Sequence, residues 1–222
     1  VGLDPANCTI YVSEGSSGWG ETWQGCKVVC LVDYLESSGQ ELINTGITAA
    51  YGVQATMDFM QLDYTGDAFI GTPFDVYDEL DWRFLNSSNP SYGGTIFDCG
   101  AKRINLGLNV VTNGARVTVC CGSDGSNVYL RIVDANGVTI AQREEPRSET
   151  VVSEPICLFR SCKMRLYSLK LIKDGTLVRD FVPCKRVSDG AYGLYDRVEG
   201  KFYGNESGYG AFVGPATTAV AQ

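Results

Sequence analysis

The 222-residue chain contains no histidine. That removes the commonest general base, every Ser-His or Cys-His nucleophile pair and the commonest zinc ligand. An enzyme built from this sequence would have to work with carboxylates, Lys, Tyr or Cys. Long apolar runs are missing too. Nothing approaches the ~18 consecutive apolar residues of a membrane-spanning helix, so no membrane insertion is expected. No charged segment leading into an apolar one is present, which places any secretory leader outside this sequence. No window of about eleven residues or more carries a helical 3.6-residue stripe. Basic stripes are absent as well. The 18 Lys and Arg are scattered among 26 Asp and Glu, for a formal charge of −8, and no nucleic acid partner is expected.

What is present is strand after strand, punctuated by Gly, Asn and Asp. Val53–Leu62 alternates: Val53, Ala55, Met57 and Phe59 on one side, Gln54, Thr56 and Asp58 on the other. That is the pattern of a half-buried antiparallel strand. Ala115–Cys121 does the same. Pro155–Arg160 and Met164–Ile172 are denser in apolar residues, as strands covered on both faces would be. Asp174-Gly175 separates the apolar runs Leu169–Ile172 and Leu177–Val182, the strongest short-range signal for a two-residue type I′ hairpin. Glu199-Gly200 repeats the device between Gly193–Asp196 and Lys201–Tyr203. Asn113-Gly114 joins Leu108–Val111 to Ala115–Cys121, and Asn136-Gly137 joins Val128–Val133 to Val138–Ala141. Ala141–Glu154, the most polar stretch, reads as an exposed loop. Asp78–Arg83 allows one helical turn at most. Short strands at this spacing point to a sandwich or barrel.

Lys170–Gly214 closely resembles the closing motif of the LamG-like (concanavalin A-like) jelly-roll domains of bacterial surface proteins and phage tail or fibre proteins. Tyr34-Leu35-Glu36-Ser37-Ser38-Gly39, followed by Ile43-Asn44-Thr45-Gly46, is similar to that family's start. The resemblance implies an all-β, two-sheet antiparallel jelly-roll sandwich over residues 33–214, used for binding or adhesion, and it transfers no catalytic residue. Asn7–Val29, with Cys8, Trp19, Trp23 and Cys26, resembles the trailing segment of BspA-like leucine-rich-repeat surface proteins. The division is therefore a short Cys- and Trp-bearing appendage or repeat remnant (1–32), a sandwich (33–214) and a tail or linker (215–222). Trp19 and Trp23 are expected to pack the appendage onto the sandwich.

Nine cysteines, an odd number, leave at least one thiol free or paired between chains. None form a C-x-x-C motif, and Cys26-x-x-x-Cys30 lacks a second pair at metal spacing. Cys120 and Cys121 are neighbours on one strand and point to opposite faces, with Cys121 on the apolar face. Cys8 with Cys26 is the pair suited to staple the appendage, which has little core of its own. The alternatives are a secreted protein with bridges and a virion protein with reduced thiols.

Three clusters carry candidate chemistry. Glu79-Leu80-Asp81-Trp82-Arg83 is similar to the Glu-x-Asp-x-Glu strand of glycoside hydrolases on this fold. A retaining glycosidase needs two carboxyl groups about 5–5.5 Å apart, and residues two apart on a strand share a side at roughly 6–7 Å. The third acidic position here is Arg83, which cannot donate a proton near neutral pH. Asp67, Asp75, Asp78, Glu79 and Asp81 form an acidic cluster in which Asp75 and Asp78 are the candidate calcium ligands, without EF-hand spacing; no other cofactor is expected. Tyr77, Trp82 and Tyr92 lie in the aromatic-rich stretch Tyr64–Gly94 and are the candidates for stacking on a glycan. Trp82 and Phe84 equally fit the inward face of a strand. Three Asn-x-Ser/Thr sequons, at Asn7, Asn86 and Asn205, carry no weight in a bacterial or phage protein.

The reading is a non-catalytic binding, adhesion or structural module of a cell-surface or virion protein, extracellular or on a particle. Its partner is a glycan or protein, or another copy of itself. The alternatives are a purely architectural subunit of a filament or phage particle, and a carbohydrate-active hydrolase using Glu79 and Asp81.

Overall fold

The computed structural model describes residues 8–63, 68–72, 81–87, 93–148 and 153–215. They contain eighteen strands and no helix. In chain order these are β1 (Thr9–Ser13), β2 (Thr22–Trp23), β3 (Cys26–Leu31), β4 (Leu35–Ser38), β5 (Ile43–Thr48), β6 (Val53–Gln61), β7 (Ala68–Gly71), β8 (Trp82–Asn86) and β9 (Thr95–Cys99). There follow β10 (Lys102–Asn105), β11 (Arg116–Ser123), β12 (Asn127–Asp134), β13 (Thr139–Pro146), β14 (Pro155–Leu158), β15 (Lys163–Lys173), β16 (Thr176–Lys185), β17 (Tyr192–Asp196) and β18 (Lys201–Tyr203). The larger sheet runs β1-β3-β16-β15-β6-β11-β12-β13, with β17 and β18 beyond β16, β2 on β3 and β4 on β15. The smaller runs β10-β9-β8-β7-β14-β5. Among the described residues, β1 with β3 is parallel and every other strand pair antiparallel. The chain is an all-β two-sheet sandwich.

Period-2 patterning builds the interior. Val53, Ala55, Met57 and Phe59 of β6 are buried beside Val117, Val119 and Cys121 of β11 and Leu166, Leu169 and Leu171 of β15. From the facing sheet, Phe69, Phe84, Trp82 and Phe97 meet them. Phe59, Phe69 and Phe84 form a cluster with ring centroids 5.0, 5.7 and 6.0 Å apart, spacings at which tilted and edge-on aromatic pairs are favourable. One end of the core is polar. Asn86 Nδ2 donates to Gln61 Oε1 (2.7 Å) and to the Val111 carbonyl (2.9 Å), and Thr95 Oγ1 donates to Asn86 Oδ1 (2.6 Å). Asn86, Gln61 and Thr95 are buried, so these bonds satisfy groups that would otherwise be costly to desolvate. The sequon at Asn86 is thereby a structural joint; Asn205 likewise accepts from Leu42 N and donates to the Tyr209 carbonyl.

Segments far apart in the sequence meet around Arg179. Arg179 on β16 is buried, and its Nε donates to the Thr45 carbonyl (2.9 Å) while lying 3.6 Å from Asp196 Oδ2. Its Nη1 contacts Glu199 Oε1 at 2.7 Å. Asp196, fully buried, accepts from the amides of Asp180, Val198 and Glu199. Gly46 leaves room for the guanidinium: a Cβ there would sit 3.2 Å from Arg179 Nη2, and its φ of +70° suits glycine. Nearby, the Glu41 carboxylate is buried in a cradle donated by Ser37 Oγ, Ser38 N and Ser38 Oγ at 2.8–2.9 Å. Burial pushes the Glu41 carboxyl up, and the bonds from Ser37 and Ser38 outweigh it, holding it below its ordinary value.

Several local expectations need correction. Asp174 and Gly175 both take positive φ, +50° and +76°, as a type I′ turn demands. The Asp196–Lys201 corner is instead a four-residue loop closed by Gly200 N on the Asp196 carbonyl. Side-chain capping by Asp196 favours this wider turn. Leu108–Val111 is not a strand, and Ala141–Glu154 is not simply a loop, because β13 takes in Thr139–Pro146. Its charges mark an edge strand rather than an absence of structure. Trp19 and Trp23 pack edge-on against each other at 6.0 Å, and Trp23 stays 48% exposed; residues 8–31 join the sandwich through main-chain pairing of β3 with β16 and through the contacts of Tyr11 and Val29 with Tyr195. The tail from residue 216 lies outside the described residues.

Asp196→Ala should remove a buried charge's partner and three amide acceptors at once. The expected loss is about 3–5 kcal/mol, read as a fall in melting temperature of roughly 6–20 °C for a chain this long. Because the folded Glu41 carboxyl is lowered, its contribution is present above the unfolded value of about 4.3 and is lost as pH falls through the folded one. Urea midpoints taken from about pH 5 down to 3 should fall less steeply in Glu41→Gln than in wild type.

Candidate functional site

The outer face of the smaller sheet carries a row of charge that the core alternation creates. In β8, Trp82 and Phe84 point inward, so Arg83 between them points out. Arg83 is paired in register with Asp98 of β9, and Asp98 with Arg103 of β10. Arg83 Nε donates to Asp98 Oδ2 at 3.0 Å, while Arg103 Nε and Nη2 donate to Asp98 Oδ1 and Oδ2 at 2.7 and 3.0 Å. Arg83 Nη1 also lies 3.0 Å from Asp81 Oδ2. Asp81 and Asp98 are buried and Arg83 nearly so, whereas the Arg103 side chain is 57% exposed. Gly71 stands opposite Arg83 on the other side. A Cβ there would meet Arg83 Cβ at 2.4 Å, so only glycine lets β7 approach this closely.

These groups, with Gly100, Ala101 and Lys102, line an open depression of about 350 Å³. Its chemistry is that of fixed, planar, charge-assisted hydrogen bonds. Asp98 holds the Arg103 guanidinium above its ordinary value, keeping it charged. Asp81 and Asp98 share the one guanidinium of Arg83. Asp81 and Arg83 do lie on one side of their strand, as their spacing implies.

The other expected positions fare differently. Trp82 is 0% exposed and packs edge-on against Phe97 at 5.1 Å, so it has no face for a sugar ring and belongs to the core. Its place between two buried layers, not its residue type, decides this. Tyr77, Tyr92, Asp75, Asp78 and Glu79 lie outside the described residues. No group of three His, Cys, Asp or Glu residues able to hold a metal occurs among the described residues. Cys8 and Cys26 are free thiols, and the neighbouring Cys8 pushes the Cys26 thiol up. Asp98 and Arg103 were not singled out by sequence reasoning. The available signal was a lone charge inside the apolar run Thr95-Ile-Phe-Asp-Cys99, which marks an outward position without naming its cross-strand partner.

A second concavity, of about 250 Å³, lies on the outer face of the larger sheet. Val29, Cys184, Tyr195 and Phe202 form its apolar floor, with Lys27 over the Tyr195 ring and Arg186 over Phe202. The hairpin of β2 and β3 supplies one wall through Glu21, Thr22 and Lys27.

No family model, curated protein or solved structure matches the chain.

The row predicts unequal energetic roles. Asp98→Ala strips Arg83 and Arg103 of a shared acceptor and should cost about 1–3 kcal/mol. Arg103→Ala, at an exposed position, should cost less than about 1 kcal/mol. Chemical denaturation of both variants checks the order.

Proposed function

We propose that the protein is a non-catalytic binding module of a LamG-like jelly-roll type, carried on a cell-surface or virion protein. Its ligand is a glycan held in the depression on the smaller sheet. The observation that carries this reading is the Arg83–Asp98–Arg103 row: rigid, mutually neutralised groups at the floor of an open cavity. Sugar hydroxyls both donate and accept, and a carboxylate flanked by guanidiniums offers both functions in one plane. Arg103 uses Nε and Nη2 on Asp98 and has further N–H groups to offer. A cavity of this volume lies within the range of small-ligand sites.

The pairing also favours binding over hydrolysis. A glycosidase needs one carboxyl group to carry a proton and another to attack or activate water. Here Asp81 and Asp98 both face Arg83. The surface-protein context rests on the resemblance of Tyr34–Gly39, Ile43–Gly46 and Lys170–Gly214 to the LamG-like family, and fold likeness alone does not fix function.

A glycan array probed with the wild-type chain should return a defined group of sugars. Arg103→Ala should weaken the best of them at least about tenfold, the loss of one charge-assisted hydrogen bond of roughly 1.5–3 kcal/mol, with its melting temperature nearly unchanged. Retained affinity in Arg103→Ala would remove the depression as the site. An array without hits, with a protein partner captured instead, would replace the glycan by a protein ligand.

A further inference from the structure

We propose that Cys8 and Cys26 form a disulfide that locks the outermost strand, β1, onto β3. The register supports it. Thr9 pairs with Lys27 in the parallel ladder, so the preceding residues, Cys8 and Cys26, are the next pair and share a face. The Lys27 amide donates to the Cys8 carbonyl at 3.2 Å, which holds the two strands together at this position. Paired strands lie about 4.7–4.9 Å apart, within the 4.4–6.8 Å Cα separation that a disulfide spans.

The same register excludes the neighbouring alternatives. Cys26 and Cys30 lie four residues apart on one strand, about 13 Å, beyond a disulfide's reach. Cys30 pairs with Lys185, and Cys184 with Leu31, so Cys30 and Cys184 point to opposite faces of the sheet. Cys99 and Cys121 are enclosed in the core. The Cys8–Cys26 pair combines register with access, since Cys8 is half-buried.

The step balances with a small-molecule disulfide, such as oxidised glutathione, as oxidant. The Cys8 thiolate attacks one sulfur of that disulfide, and the released thiolate takes up a proton. The Cys26 thiolate then attacks Cys8 Sγ in the mixed disulfide and displaces the second small thiolate. Two protein thiols lose their hydrogens, and one external disulfide becomes two thiols. Cys26 is buried and Cys8 half-buried, so Cys8 is the thiol that meets the oxidant first.

The bond matters because β1 is an end strand paired along one edge only. Its Tyr11 packs edge-on against Tyr195 at 6.2 Å, and Glu14, just beyond it, accepts from Tyr192 Oη at 2.7 Å. Release of β1 removes the Tyr11 support from Tyr195 on the floor of the second concavity.

The test uses the full chain, treated with oxidised glutathione, alkylated, and digested without reduction. The expected result is one linked peptide pair joining Cys8 to Cys26, absent in Cys8→Ser and in Cys26→Ser. Reducing the wild type should speed hydrogen exchange at β1 amides, and at Glu14 N–H bound to Leu31 O, by up to roughly a hundredfold, the ratio that closing a loop of this length supplies. Exchange in the central strands β6 and β15 should not change, and reduction should have no effect on Cys8→Ser. Recovery of Cys8 and Cys26 both alkylated, or linked to other cysteines, would overturn the proposal. So would a linked pair whose reduction leaves β1 exchange unaltered.

Discussion

A buried guanidinium, Arg179, and a fully buried carboxylate, Asp196, hold together three segments: the Asn44-Thr45-Gly46 stretch of β5, far away in sequence, the middle of β16, and the corner after β17. Burying two charges is unfavourable unless every donor and acceptor is matched, and breaking such a pair costs more than forming it gains. Here the matching is complete enough to fix position. Asp196 takes three amides, and Arg179 divides its donors between backbone carbonyls and acids. A slip of β16 by one residue would move Arg179 to the opposite face and leave Asp196 without its cation. Hydrophobic burial drives the two sheets together; this joint sets how they are aligned at one end.

The other end is aligned by neutral groups. Asn86, Gln61 and Thr95 bridge the larger and smaller sheets inside the core, so each end of the sandwich has a polar lock and the middle is apolar. Between these locks, β8 turns Trp82 and Phe84 toward the interior and Arg83 toward the surface. The charged depression is therefore a by-product of core alternation, presented on a rigid sheet rather than on a loop. The exposed edge at β13 is handled separately. Arg143 and Glu145 pair in register with Leu130 and Val128 and so share the core-facing side of the sheet at its rim, followed by Pro146. Inward-pointing charges and proline are ways of discouraging a further strand from adding to an edge.

Where side-chain period and turn chemistry act locally, the residues announced the structure. β6, β11, β15 and the Asp174-Gly175 hairpin follow from alternation and from residues tolerant of positive φ. β13 was illegible because none of its residues is buried, so no alternation marks it. The corner at Asp196–Lys201 depends on where the Asp196 side chain bonds, and that depends on Arg179, seventeen positions earlier. The site was half visible. Asp81 and Arg83 stand out as charges around Trp82, yet nothing in the sequence pairs Arg83 with Asp98 or Asp98 with Arg103, since register is a long-range property.

Composition and spacing by themselves determined an all-β chain, the inward set of its regular strands, and a surface without histidine chemistry or a basic stripe. Those properties belong to single residues and near neighbours. Tertiary structure alone decided that Trp82 is core, that Cys8 faces Cys26, and that two arginines flank one aspartate over an open depression. Each is a statement about which strands lie side by side, and strand adjacency is selected by the packing of the whole sandwich.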